Sequence, residues 1–317
     1  MISRNWRTLT ALGVCMAAIL VLPFVLDTES SYLIYFLFQT FIYIALSQSW
    51  NLIAGYTGQV SLGHHAFFSI GAYVTGMLWI HDVTKTGYYF DPLTMFLSGL
   101  GSAILAFAIG IPLLSKLRGD YFALGTLGFG EILRVLFVKG GRFTGGAVGL
   151  ILPSGVYTSM KPYYFTGLIL ALLSTAMTYA LVRSRMGLAL GAIKEDEMAA
   201  SVSGVDILKY KVLAFAASAS MAGLCGSLQG YYLFHIHPEG FLSLNWTLYP
   251  ILMCVIGGVG TLIGPIIGAI LMTAVFSLAN IYLPEIHPIF SGAFVILVML
   301  FLPDGVIRLK VMRRSGG

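Results

Sequence analysis

The chain has 317 residues, of which 58% are hydrophobic and only 10% charged, and its formal net charge is +5. Soluble globular domains carry about 25% charged residues, so this composition excludes an ordinary water-soluble protein. The apolar runs are long and continuous rather than alternating, which favours membrane-spanning helices over a β-barrel. In such a protein the basic residues report topology rather than binding to nucleic acid, which we do not expect as a partner.

The first apolar run, over 9–26, follows Arg4 and Arg7 and is open to two interpretations. A basic start followed by an apolar stretch is also typical of a secretory signal peptide. Asp27 and Glu29 follow at the point where a small-residue cleavage site is expected. An uncleaved first span is therefore favoured.

Hydropathy predicts ten spans within a single membrane domain over 1–317. The predicted spans are 9–26, 32–54, 63–80, 93–115, 121–138, 163–182, 211–234, 247–257, 263–283 and 287–302. With the N-terminus in the cytoplasm, thirteen Lys and Arg residues fall in cytoplasmic segments and four in external ones. This positive-inside bias predicts that both termini are cytoplasmic. The eighth span is short, and the polar turn at 55–62 is a candidate re-entrant segment.

Polar residues open the third span, where Gln59, Ser61 and His64 are candidates for lining a route for a polar solute. The alternative is that they cap and solvate the start of a helix. His64 and His65 are adjacent, so they do not face one another on a helix, and we predict no metal site there.

Glu131 and Arg134 are the one ionisable pair well inside a predicted span, and they too are candidates for the solute path. Their i, i+3 spacing puts them on one helix face, where each can neutralise the other. Charge within the bilayer is costly, which makes the pair a functional hypothesis. The alternative is a structural pair packed against a neighbouring helix.

A charged segment interrupts the apolar chain over 183–211, where nine of the 31 Lys, Arg, Asp and Glu residues are concentrated. Acidic residues at 195–197 are typical of a first helical turn, and Met198, Val202 and Val205 repeat on one face of a short helix. Gly204 is expected to end this helix and Asp206 to cap the helix of the seventh span. From the residues alone the segment is either a solvated surface loop or a knob that inserts into a partner protein.

Glycines at 260, 264 and 268 form a Gly-x-x-x-Gly pattern that predicts close packing of membrane helices. The cysteines at 15, 225 and 254 all lie in apolar runs and are expected to be core residues. The sequence contains no P-loop, zinc-protease helix or nucleophile elbow, so we expect this chain neither to be an enzyme nor to bind ATP, a metal or another cofactor itself.

These motifs together resemble the LivM-type permeases of branched-chain amino acid ABC importers. The resemblance rests on ordered stretches that include Gly58-Gln-Val-Ser-Leu-Gly, Gly128-Phe-Gly-Glu-Ile and Glu195-Asp-Glu-Met-Ala-Ala. The matching stretches are 57–68, 70–73, 117–132, 144–150, 186–211 and 257–265. They cover the chain from about residue 50 to 270.

The resemblance implies a bacterial inner-membrane subunit of the cobalamin-importer class, with about ten helices. It also implies partners: a homologous LivH-type permease, two cytoplasmic ATPases that bind ATP and Mg²⁺, and a solute-binding protein at the external loops 139–162 and 235–246. An ATPase would dock on the segment at about 186–210. The docking residues that the resemblance assigns are Glu195, Asp196, Met198, Ala199, Ala200, Val202 and Gly204.

The substrate stays open at this point. Relatives often have Ala where this chain has His65 and Pro where it has Ala147, near the expected solute path. Because other members of such families import urea, short amides or aromatic acids, these remain alternatives to branched-chain amino acids. An ion-coupled secondary transporter is a further alternative, although the sequence shows no inverted repeat.

Overall fold

The computed structural model describes residues 2–83, 90–152 and 157–282, and within them the chain forms thirteen helices and one pair of short strands. In chain order the elements are α1 (Ile2–Val25), α2 (Tyr32–Thr57), α3 (His64–Ile80), α4 (Pro92–Lys116), α5 (Asp120–Lys139), α6 (Gly141–Thr144), β1 (Leu150–Ile151), α7 (Lys161–Arg183), α8 (Arg185–Glu195), α9 (Glu197–Val202), α10 (Ile207–Leu233), β2 (His235–Ile236), α11 (Pro238–Phe241), α12 (Asn245–Gly257) and α13 (Gly264–Tyr282).

Seven helical segments of the described residues are long and apolar enough to cross a membrane. They are α2, α4, α5, α7, α10, the α11–α12 segment and α13. The predicted third span is present as α3, but its 17 residues are slightly short for a full crossing. Helix α1 covers the predicted first span, and the predicted tenth span at 287–302 lies outside the described residues. Within the described residues, the structure thus confirms a helical fold with seven segments able to cross a membrane.

Helices α2 and α10 form the centre of the bundle, because most of their length is buried against α3, α4, α7 and α13. Small residues permit this close packing. A Cβ atom on Gly71 of α3 would collide with the backbone of Gly223 in α10, and one on Gly226 would collide with the carbonyl group of Phe68. The outer helices instead present large apolar side chains, as lipid contact requires; Phe96, Ile104 and Ile169 are among them.

The charged segment folds as the sequence predicts in two respects. The short helix α9 ends before Gly204, whose φ of 82° suits a helix C-terminus, and Asp206 caps α10 by accepting a hydrogen bond from the N–H of Lys209 at 3.1 Å. The prediction that 195–197 forms one first turn is wrong. Glu195 ends α8, and Asp196 caps α9 by accepting from the N–H groups of Met198 and Ala199.

The Gly-x-x-x-Gly pattern is only partly helical. Gly264 and Gly268 lie on α13, where Gly268 lies directly against the backbone of Met253 in α12. Gly260 lies in the turn before α13, with a φ of 76°, and its N–H donates to Asn51 Oδ1 at 2.8 Å. Close glycine packing therefore joins α12 to α13, while Gly260 joins their connection to α2.

At the opposite end of α10, two connections that the sequence treats as separate loops are paired. Strands β1 and β2 are antiparallel, with Leu150 opposite Ile236 and Ile151 opposite His235. The ring Nε2 of His235 also lies 2.7 Å from the carbonyl oxygen of Val148. The pairing holds the segment after α5 against the segment after α10, beside the short helix α11.

Candidate functional sites at the two ends of the bundle

Helix α9 presents an apolar surface that no other part of the described chain covers. Val202 is 90% exposed, and Met198 is also largely exposed. Glu195, Asp196, Ala199 and Gly204 are exposed as well, whereas Ala200 is buried and faces the bundle. An exposed valine and methionine outside the spans, on a helix with satisfied caps, form a surface suited to contact with another protein.

Behind this surface lies a buried ion pair that joins α9 to α10. Glu197 contacts the ammonium group of Lys211, whose side chain is only 2% exposed, while that of Glu197 is 24% exposed. Gln59 Nε2 donates to Glu197 Oε1 at 3.3 Å, and Arg118 Nε lies 4.0 Å from Glu197 Oε2. We call these four residues the Lys211 cluster. A charge buried to this extent is stable only while its partner remains in place, so α9 is held firmly against α10.

A second contact fixes α8 to α2. Lys194 Nζ donates to the carbonyl oxygen of Gly55 at 2.7 Å, in the last turn of α2, where helix carbonyls lack intrahelical partners. Asn51 and Gln48 of α2 donate in turn to the carbonyl oxygens of Thr261 and Leu262, at 2.9 and 2.7 Å. The exposed α9 surface is therefore connected, through polar contacts, to both central helices.

The polar segment between α2 and α3 folds back into the bundle. Trp50 Nε1 of α2 donates to the carbonyl oxygen of Ser61 at 2.9 Å. His64 then lies with Nδ1 3.1 Å from Ser61 Oγ and Nε2 2.8 Å from Ser218 Oγ, near the middle of α10. Gln59, Ser61 and His64 are all buried, so the predicted path residues at this point are enclosed in a polar core.

The other predicted path residues lie at the far end of the bundle, and a third residue joins them. Arg134 Nη2 on α5 donates to both carboxylate oxygens of Glu239 on α11, at 2.9 and 3.0 Å. Its Nη1 lies 3.5 Å from Glu131 Oε2. We call these three residues the Arg134 cluster. All three side chains are substantially exposed, from 39% for Arg134 to 69% for Glu239.

Sequence reasoning missed Glu239. It lies 105 positions from Arg134, in a segment without a recognisable motif, and no spacing rule connects the two. The one available signal was that an Arg and a Glu at i, i+3 leave most of a guanidinium group's five donors unused.

The face of α5 around this cluster is open. Leu124, Val135 and Val138 are exposed and share the face of Glu131 at heptad spacing. Gly128 lies on the same face, and no described atom lies within 4 Å of the position where its Cβ would stand. The bare backbone at Gly128 thus lies about one turn before Glu131 and nearly two turns before Arg134.

A separate cavity of about 500 Å³ lies near the start of α2, and four tyrosines line it. Glu29 accepts hydrogen bonds there from Tyr157 Oη at 2.9 Å and from the N–H of Met160 at 3.1 Å. Desolvation, together with the neighbouring Glu29 carboxylate, raises the pKa of Tyr157 to about 12, so this hydroxyl remains a proton donor at physiological pH. The cavity shares no residue with the Arg134 cluster.

Comparison with known proteins gives one consistent result. Residues 32–302 match the family model described as "Branched-chain amino acid transport system / permease component". The chain is 29% identical to the high-affinity branched-chain amino acid transport system permease protein LivM of Salmonella typhimurium, over 84% of this chain and 68% of that protein. It has the same identity and coverage with LivM of Escherichia coli. It is also 28% identical to the permease protein LivH of Salmonella typhimurium, over 88% of this chain and 97% of that protein. No solved structure matches the chain.

Proposed function

We propose that this chain is the LivM-type membrane subunit of an ATP-driven importer for branched-chain amino acids. The chain belongs to the family of branched-chain amino acid transport permease components. The observation that carries the proposal is the family match over 32–302, together with the uncovered apolar surface on α9. The chain is a multi-pass protein of the inner membrane and works as a transport subunit rather than an enzyme.

The complete chain is proposed to form a single domain of ten spans with both termini in the cytoplasm, in the manner of the cobalamin-importer class. The seven described membrane-length segments and the excess of basic residues on one side support this topology. In this orientation α8 and α9 lie in the cytoplasm. The strand pair and α11 then lie toward the external end of the bundle.

The proposed partners follow from the family. A second permease of the LivH type would form the other half of the path, and the similarity of this chain to both LivM and LivH is consistent with two homologous subunits. Two cytoplasmic ATPases would bind ATP and Mg²⁺. An external solute-binding protein would deliver the amino acid to the loops that β1 and β2 join.

Coupling is proposed to begin at the surface of α9. Met198 and Val202 would insert into an ATPase groove, with Glu195, Asp196, Ala199 and Gly204 at the rim and the buried Ala200 packing the helix from behind. When the ATPases close, they favour one position of α9 over another, and the Lys211 cluster and Lys194 transfer that preference to α10 and α2.

The solute path is proposed to run along the open face of α5, between this chain and its permease partner. Glu131 and Arg134 lie on that face. Gln59, Ser61 and His64 remain predictions for the path; because they are buried, they would meet the solute only after the helices move apart.

Reconstitution of the complete importer in liposomes tests the proposal. We expect leucine to accumulate only when ATP is present on the side of the membrane that α8 and α9 face and the binding protein is present on the opposite side. Dissipating proton and sodium gradients should leave uptake unchanged. Uptake that follows an ion gradient without ATP would identify a secondary transporter instead, and uptake of urea or amides but not leucine would reassign the substrate.

A further inference from the structure

The Arg134 cluster has a location that demands an explanation. Glu131 and Arg134 lie about 12 and 8 Å before the end of α5 at Lys139, by the rise of an α-helix, so they are within a membrane-length helix. Both are substantially exposed in this chain. Charged groups at that depth do not face lipid, because hydrocarbon cannot solvate them. The face that carries them must therefore meet a water-filled path or a partner subunit.

The contacts within the cluster show an uneven balance of charge. One guanidinium group serves two carboxylates: Nη2 makes both hydrogen bonds to Glu239, and Nη1 makes only a loose contact with Glu131. The carboxylate of Glu239 accepts hydrogen bonds from Arg134 through both of its oxygens, and the carboxylate of a small ligand could do the same. The cluster thus has one excess negative charge and a carboxylate that another carboxylate could displace.

We propose that the Arg134 cluster is a binding site for the zwitterionic backbone of an amino acid. The carboxylate of the ligand replaces Glu239 on Arg134, and the ammonium group pairs with Glu131. This inference rests on the proposed function, which supplies the substrate class, and adds the residues that recognise it. A simple anion is excluded because two carboxylates repel it, and an amine without a carboxylate leaves Arg134 with no new partner.

The surroundings fit a ligand with an apolar side chain. Val135 and Val138 are exposed on the same face of α5, one and two turns beyond Glu131, and Leu124 lies two turns before it. Gly128 leaves an open space between them. An aliphatic side chain can lie on this strip while the backbone charges of the ligand remain at the cluster. The same face would reject a polar side chain, which it could not hydrogen-bond.

Two substitutions distinguish a binding site from a structural latch. Arg134→Gln removes the cation in either case. Glu239→Gln, by contrast, keeps the size of the side chain and can still accept a hydrogen bond, but it removes the carboxylate that competes with the ligand. A binding site then gains affinity for the ligand carboxylate, whereas a latch is weakened. Arg142→Gln, on the exposed surface of the neighbouring helix α6, is the matched control.

The experiment is saturation-transfer NMR on the pair of permeases, purified in detergent without the binding protein, with leucine, leucinamide and 4-methylpentanoate as probes. We expect leucine to bind at least about ten-fold more tightly than either singly charged analogue, as a charged hydrogen bond requires. Arg134→Gln should weaken leucine binding by about ten-fold or more, Glu239→Gln should strengthen it, and Arg142→Gln should leave it unchanged.

Equal binding of leucine to the wild type and Arg134→Gln would overturn the inference. So would a loss of binding in Glu239→Gln in protein with an unchanged melting temperature. Uptake by the wild-type importer in liposomes keeps this outcome separate from a failure of the proposed function. If wild-type importer transports leucine while Arg134→Gln binds it normally, only the site is wrong; if the wild type does not transport leucine, the function is wrong.

Discussion

Two ionic clusters lie at opposite ends of this bundle, and they are built in opposite ways. In the Lys211 cluster the cation is almost completely buried and its partner Glu197 is held by three other segments of the chain. In the Arg134 cluster all three charged side chains are substantially exposed, and the two carboxylates share one cation. Helix α10, about 40 Å long, spans the distance between the end at α9 and the end at α11.

The difference in burial separates a structural connection from an exchangeable contact. Removing one member of a buried pair leaves an uncompensated charge, so such a pair moves as a unit. An exposed pair contributes little stability, because water and other ions replace either partner at small cost. The first arrangement suits the transmission of motion from α9 to α10, and the second suits the release of one partner for a ligand.

The largest expected effect concerns the surface in front of the Lys211 cluster. Val202→Arg should weaken association with the ATPase by about 300-fold or more, because it places a charge at the centre of an apolar contact. Stability of the permease should not change, since Val202 is 90% exposed. Val83→Arg, an exposed valine outside the membrane spans, is the matched control. Co-purification of the ATPase measures the effect, and normal association of Val202→Arg would remove α9 as the docking site.

Glu197→Gln tests the buried cluster itself. It leaves Lys211 charged and enclosed, so we expect a loss of about 3 kcal/mol in the free energy of unfolding. Lys211→Met should cost less, because Glu197 still reaches water and Arg118. The double variant Glu197→Gln, Lys211→Met should recover part of the loss, which thermal unfolding in detergent would show. If the two single variants are equally stable, the pair is not buried as described.

Gly130→Ala should also destabilise the protein, by about 1–3 kcal/mol, because the new methyl group would collide with the imidazole of His65. Gly128→Ala, two residues earlier on the open face of α5, is the matched control and should leave stability unchanged or slightly raised. This pair tests whether α5 is packed on one face and open on the other. Equal melting temperatures would contradict that arrangement.

The smallest effect is expected from Lys194→Met. It removes the hydrogen bond to the carbonyl oxygen of Gly55 and should cost about 1 kcal/mol, because the ammonium group is partly solvated. The change should add to that of Lys211→Met if the two contacts hold different helices. A double-variant cycle on thermal stability measures this, and strong coupling would show that α8 and α9 are held by one contact rather than two.

The sequence predicts those features of the molecule that depend on neighbours along the chain. Apolar runs predict the long helices, and Gly204 and Asp206 predict the end of α9 and the start of α10 because capping involves residues three or four positions apart. The Glu131–Arg134 contact follows from i, i+3 spacing for the same reason.

Features that depend on distant segments were not predictable in this way. Lys211 is one of the thirteen basic residues that mark the cytoplasmic side in the sequence, yet its ammonium group is buried, because only the folded chain brings Glu197 over it. Glu239 reaches Arg134 because β1 and β2 draw two loops together, and strands of two residues are too short for a periodic pattern. The turn at 258–263 likewise lies on α2 through side-chain contacts that no spacing rule gives.

The comparison between the clusters is tested most directly by ATP-driven leucine uptake in liposomes, measured for Glu197→Gln and Glu239→Gln side by side. Both variants replace a carboxylate with an amide of the same shape, so they differ only in position. We expect Glu197→Gln to lower uptake by about ten-fold or more, because a buried pair is broken, and Glu239→Gln to retain or increase it. An equal loss of uptake in both variants would contradict the account, since it would show that both clusters have the same structural role in transport.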